Sequence, residues 1–332
     1  AHVKRDIDLV HSHVEAIKTI MAEIGRITPN AVRRAGDQVA TDEWEAFTAA
    51  ANWVIAGDMR SVFLQDADSL VVKPNDLIDI LTHLKKRFPS IQRITSYARA
   101  KTIYKRKQSD LRAIREAGLD RIHIGLESGS DDVLKMMEKG STKAVQIEAG
   151  RKVKRAGMEL SEYIIPGLGG RDLSQTHARE TADALNQIDP DFVRLRSLAI
   201  PPHAPLYERW QSGEFVKCTD VEVANELLAF IEGLDGITTV VKSDHVLNLF
   251  MDLEGRLPGD KPRMLDLLRS FLEMEPGEQR LFQVGRRLSI FHRLKDLENS
   301  RKRDVASRMV EELGVTAKNI DDIIDQLMKR FV

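Results

Sequence analysis

Apolar residues at Val3, Ile7, Val10, Val14, Ile17, Ile20 and Met21 recur at the spacing of one helical face. That spacing predicts a helix over residues 3–24, closed by Gly25. Thr28-Pro29 opens a second helical region, carried by Trp44, Phe47 and Trp53 to about Ile55, and Gly57-Asp58 reads as a turn. The pattern then changes. Short apolar runs predict strands at 62–65, 92–96, 121–125, 159–165 and 192–198. Helical periodicity predicts helices between them at 74–88, 109–117, 130–137, 142–156 and 174–188. Pro74 stands in a first turn, and Gly118 and Gly157 stand just past helix ends. Strands alternating with helices predict an α/β fold, with a mostly parallel sheet and helices outside it. After residue 200 the pattern differs again. Pro201, Pro202 and Pro205 make a stiff turn, helices follow at 220–234 and 262–272, and 237–241 reads as one more strand. Residues 275–332 read as a helical appendage separable from the rest, with helices at 275–287, 301–313 and 320–331. We expect three regions, at 1–57, 58–255 and 256–332.

Polar residues and glycines collect where the predicted strands end. Asp66, Asp68 and Ser69 follow the first strand, Ser96, Tyr97 and Arg99 the second, Glu127, Ser128 and Gly129 the third. Pro166, Gly167, Gly169 and Gly170 follow the fourth. The C-terminal ends of parallel strands are where α/β barrels keep their chemistry. Asp66 and Asp68 serve either as acceptors for an amine or as strand-end caps. Arg99 suits a carboxylate, because its fork matches that geometry. Glu127 reads equally as a ligand for ammonium or ribose hydroxyls and as a structural partner of Arg99 or Arg196. Arg194 and Arg196 lie two apart in a strand, so they share a face and need acidic side chains or a ligand carboxylate. The glycines allow close ligand approach or make a tight turn. Their spacing is neither the dinucleotide fingerprint nor a P-loop. Ser243, Asp244, His245 and Asn248 either border an active site or form a capped loop.

Composition narrows the classes. Fifty basic and 51 acidic residues give a net charge of -1, which demands neither nucleic acid nor an anionic membrane. A single cysteine, Cys218, rules out an internal disulfide framework and points to a reducing, cytoplasmic setting. No apolar run reaches membrane-spanning length, and the charged start is not a signal peptide. The histidines, among them His11, His13, His123, His177, His203 and His245, make no metal site by spacing alone. Cys218 sits in a polar stretch with no recognisable base, so no catalytic role is expected of it.

Together, Ile124-Gly125-Leu126-Glu127-Ser128-Gly129-Ser130-Asp131, Ile165-Pro166-Gly167-Leu168-Gly169-Gly170 and the turn at 201–207 resemble the radical S-adenosylmethionine (SAM) superfamily. The likeness is to the branch with the oxygen-independent coproporphyrinogen oxidases, the methylthiotransferases and Elp3-like proteins, and it covers roughly 58–255. It implies a partial TIM-like (β/α)6 barrel with additional C-terminal helices. It implies Asp66 and Asp68 near the methionine amino group of SAM, and Ser96 and Arg99 near its carboxylate. Glu127 and Ser128 would approach ribose or methionine, Gly167 and Gly169 would pass the adenine, and Arg196 would lie close to the cofactor. It also implies a 4Fe–4S cluster, an electron donor such as flavodoxin or ferredoxin, and hydrogen abstraction by a 5′-deoxyadenosyl radical. The substrate would be a small molecule, side chain or base; a membrane partner is not expected and nucleic acid is the minor option.

One departure stands out. The family holds its cluster through three closely spaced cysteines, and this chain has one. The first helix begins at residue 3, so the resemblance puts the cluster ligands upstream of Ala1. The main expectation is therefore a radical SAM enzyme, an oxidoreductase or transferase, whose cluster ligands precede this sequence. Two alternatives stand beside it: a cluster-free, non-catalytic SAM-binding or scaffold protein on the same fold, and an unrelated α/β barrel lyase. The lyase needs a strand-end lysine, which is not obvious, or a divalent ion held by converging Asp66, Asp68 and Glu127.

Overall fold

A computed structural model describes residues 2–25, 28–37, 39–57, 59–65 and 68–329. Among these residues seven strands form: β1 (Ser61–Leu64), β2 (Arg93–Ala98), β3 (Arg121–Glu127), β4 (Glu159–Ile164), β5 (Phe192–Leu195), β6 (Val240–Lys242) and β7 (Gly255–Arg256). Helices stand between successive strands from β1 to β6, the strand–helix order of a partial (β/α) barrel, β7 follows β6 without one, and further helices follow β7. The fold is mixed α/β, as the alternating pattern predicts. Chain contacts group into two compact units, Ala1–His123 with Arg155–Glu159, and Ile124–Lys154 with Leu160–Val332.

In the first unit, helix His2–Ile24 buries Val14 and Ile17, and helix Trp44–Ala56 buries Phe47, Ala50, Ala51 and Val54. Helix Pro74–Arg87 starts with its proline, which costs no hydrogen bond there, and buries Leu77, Leu81 and Leu84 along one face. β1 runs parallel to β2 with Leu64 opposite Ser96. The buried stretch of β2 is Ile94 to Ser96. β1 is only half covered, so its apolar run does not mark a buried strand. Phe63 instead stacks on His123, with ring centres 5.6 Å apart, and Tyr97 leans on both rings.

In the second unit, β4, β5 and β6 are parallel and β7 returns antiparallel to β6. Period-two alternation gives this sheet two unlike faces. Leu160, Ile164, Val193, Leu195 and Val241 form a buried face. Register puts Tyr163, Arg194 and Lys242 in one row on the other. Helices Gly170–Ile188 and Asp220–Gly233 pack on each other, the second opened by a capping box of Thr219 and Glu222. Helices Ala100–Lys105 and Pro205–Gln211 and the short β7 were not anticipated by the periodicity, since none is long enough to show a face.

The C-terminal helices are built into this second unit. Val284, from helix Pro276–Arg287, and Ile320, Ile324 and Met328, from helix Ile320–Met328, cluster with Leu247. Phe250, Phe271, Phe282 and Phe291 form a chain of ring contacts 5.1 to 6.2 Å apart. Arg287, 5% exposed, donates to Leu247 O and, at 2.7 Å, to Asp220. Residues that read as an appendage thus supply core.

Candidate functional site

The strand-end residues fall in both units, and each group is described within its own. In the first unit, Asp66 lies outside the described residues. Asp68 follows β1 and occupies the N-cap position of a short 3-10 turn, Ser69–Val71, without a capping bond from its side chain. Its Oδ2 accepts the Thr102 hydroxyl at 2.5 Å, while Oδ1 is buried with no donor among the described residues. A buried carboxylate oxygen without a donor is costly, so it marks a place where a donor is wanted. Thr102 belongs to helix Ala100–Lys105, and Arg99 is that helix's N-cap residue. The Asp68–Thr102 bond therefore ties the carboxylate to the element that carries the exposed guanidinium of Arg99. Ser96 is buried and donates to Ser69 Oγ at 2.7 Å.

In the second unit, Glu127 ends β3 with φ +60, the left-handed region that a non-glycine residue rarely enters. Its carboxylate pairs with Lys139, neither of the arginines considered as structural partners. Ser128 is fully buried. Its hydroxyl meets His177 Nδ1 at 2.8 Å and accepts the Ser130 N–H at 3.0 Å. His177 Nε2 lies 3.1 Å from the carbonyl of Ile165, which can only accept, so the proton sits on Nε2 and Nδ1 accepts from Ser128. Thr181 Oγ1 stands 3.3 Å from the same Nδ1 and accepts the Gly129 N–H at 2.9 Å.

Glu226 completes the network from helix Asp220–Gly233. It accepts the Gly167 N–H at 2.7 Å and the Ser174 hydroxyl at 2.6 Å, and lies 3.7 Å from His177 Nε2. Burial drives the Glu226 carboxyl up to about 7, against the two donors that favour its charged form. Burial drives His177 down to about 4, against its bond to Ile165. The loops after β3 and β4 are thus tied through one neutral imidazole and one carboxyl. Gly167 has φ +84, a conformation that excludes most side chains. A Cβ on Gly170 would lie 2.8 Å from the Phe215 ring, and one on Gly169 3.0 Å from the Leu173 backbone, so both glycines answer to their own chain. Sequence reading set His177 aside as scattered and did not single out Glu226. The one legible signal was a glutamate beside the apolar positions Ala224, Leu227 and Phe230 of a buried helix. Glu162, on the buried face of β4, was missed as well; burial raises its carboxyl well above the usual range, and its Oε2 has no partner among the described residues.

Arg194 and Arg196 do meet an acid: both bond Asp244, Arg196 through Nη1 at 3.0 Å. The Arg196 guanidinium also covers the Tyr163 ring at 4.7 Å. Asn248 bonds Ser197 and the Leu195 carbonyl, so the polar stretch at 243–248 braces the end of β5.

The cluster expectation is overturned. Among the described residues no group of three or more His, Cys, Asp or Glu stands close enough to hold a metal ion. The one cysteine, Cys218, is buried, and burial pushes its thiol up to about 12, far from the thiolate a cluster requires. The donor set does not fit an iron–sulfur cluster. Cluster-dependent radical formation, its electron donor and the enzyme class built on them are withdrawn as readings of this chain. The divalent-ion set considered for a lyase includes Asp66, which lies outside the described residues. No helix among the described residues is long and apolar enough to cross a membrane.

The Radical SAM superfamily model matches residues 27–181. A tRNA uridine(34) acetyltransferase of Methanocaldococcus infernus is 23% identical over 128 residues, 38% of this chain and 24% of that protein. Its Methanocaldococcus jannaschii counterpart is 22% identical over the same share of each chain. The chain spans about a quarter of the length of these curated relatives. Among solved structures, the Methanocaldococcus infernus Elp3 with an N-terminal deletion aligns with TM-score 0.48 at 14% identity, over 61% of this chain and 52% of that one. Escherichia coli coproporphyrinogen III oxidase aligns with TM-score 0.42 at 13% identity, over 52% and 40%. Residues 27–181 are thus similar in sequence to the radical SAM superfamily, in a chain that holds a single cysteine.

Proposed function

We propose that this chain is a cluster-free binding module on the radical SAM fold, which takes SAM or a SAM-like amino-acid nucleoside without cleaving it. The observation that carries this reading is the buried Oδ1 of Asp68, which has no donor among the described residues. An ammonium group supplies what that oxygen lacks, and a charge-assisted bond there is worth more than a neutral one. Arg99, at the start of the helix that Asp68 grips through Thr102, is proposed for the ligand's carboxylate. The single cysteine is in keeping with a cytoplasmic setting.

The test is a calorimetric titration of SAM into the parent protein and into Asp68→Asn. The parent should bind saturably. The variant keeps the shape and one acceptor oxygen but loses the charge, so affinity should fall about 10- to 100-fold, the worth of a charged hydrogen bond. Equal affinity in the two proteins, or no saturable binding by the parent at millimolar SAM, removes the reading.

A further inference from the structure

In the second unit, the C-terminal ends of β5 and β6 gather cations on one sheet face. Arg194 sits in the row with Tyr163 and Lys242, and Arg196 follows two residues later over the Tyr163 ring. Two acids answer these three cations. Lys242 pairs with Glu254 at 2.9 Å, so among the described residues Asp244 alone serves both guanidinium groups. A surplus positive charge is left at Arg194 and Arg196. Their side chains are 21% and 26% exposed, so they are held in place yet open to solvent.

The donor count points the same way. Each guanidinium carries five N–H groups. Arg196 spends Nη1 on Asp244 and on the Leu195 carbonyl, and Arg194 spends Nη1 on Asp244. The Arg194 Nε is buried and has no acceptor among the described residues. The Tyr163 ring fixes the plane of Arg196, which removes part of the entropy cost of presenting a fork. Asp244 occupies one side of each group, and the remaining donors want planar or tetrahedral oxygens.

We infer that Arg194 and Arg196 form an oxyanion-binding site on the polar face of β4–β6, taking a carboxylate or phosphate group of a small-molecule ligand. The inference stands on the second unit and does not depend on the Asp68 reading. Asp244 is a positioning residue here: it aligns the two forks and competes with the anion for them.

Calorimetric titrations with inorganic pyrophosphate and with succinate, at fixed ionic strength and without SAM, test this. At least one probe should bind saturably, and the one that binds tighter identifies phosphate or carboxylate as the group. Arg196→Gln should weaken that binding by about tenfold, the usual worth of a charge-assisted fork. Asp244→Asn should tighten it, because the competing carboxylate is gone, and circular dichroism on each variant confirms that it is folded. A merely structural Asp244–arginine cluster predicts no tightening. Failure of both probes to saturate, or a folded Asp244→Asn protein that binds no tighter than the parent, overturns the site.

Discussion

Replacing Glu226 with alanine should lower stability by about 4 kcal/mol, since two buried donors lose their acceptor at roughly 1–3 kcal/mol each and a cavity opens beside them. The donors are the Gly167 N–H and the Ser174 hydroxyl. Urea unfolding measures the loss. The pH dependence is more diagnostic. Folded Glu226 keeps its proton up to about 7, against 4.5 for the ordinary carboxyl. Its contribution is therefore complete below pH 4.5 and lost as pH rises to 7. His177 has the opposite sign. Folded, it stays neutral down to about 4, against 6.5 for the ordinary imidazole, so its contribution is complete above 6.5 and lost as pH falls toward 4. The windows overlap, and in the parent protein the two slopes offset each other. Glu226→Gln should expose the histidine slope, with stability falling toward acid. His177→Gln should expose the glutamate slope, with stability falling from pH 5 toward 7. Slopes of the same sign in both variants would show that the pair does not exchange its proton cost in this way.

Gly129→Ala should cost about 3 kcal/mol, at the upper end of overpacking penalties, because the obstacle is backbone and cannot rotate away. An added Cβ would run into the Glu180 carbonyl and stand 2.7 Å from Thr181 Cα. Either the loop after β3 or helix Gly170–Ile188 must shift. Either shift breaks the Gly129–Thr181 hydrogen bond and disturbs the imidazole that Thr181 and Ser128 flank. Gly140→Ala is the comparison. A Cβ there meets nothing within 4 Å, so only its φ of +62 resists, at about 1 kcal/mol. Chemical denaturation of both variants checks the pair, and equal losses would mean that the close approach at Gly129 is absorbed.

Local rules carried the reading of the elements. Seven apolar positions at helical spacing place the first helix, and the Pro74, Gly118 and Gly157 signals bound three others close to where they lie. Arg194 and Arg196 on one face called for acidic side chains or a ligand carboxylate, and Asp244 meets both. What escaped depends on long-range contact. His177 and Ser128 are 49 residues apart, and Glu226 and Gly167 are 59 apart. No window of sequence reveals that a carboxyl and an imidazole will be buried side by side. The terminal helices read as a separable appendage, whereas Val284 and Ile324 enter a core with Leu247. Resemblance carried the family correctly and the chemistry too far, because the cluster belongs to a cysteine set and not to the strand–helix scaffold.

The proposed binding of SAM by this chain needs no cluster. Calorimetric SAM titration of the protein as purified, and again after anaerobic incubation with iron and sulfide, tests it most directly. The same saturable affinity is expected in both samples, with no retained iron–sulfide chromophore. Binding that appears only after loading, with about four irons held per chain, would contradict it.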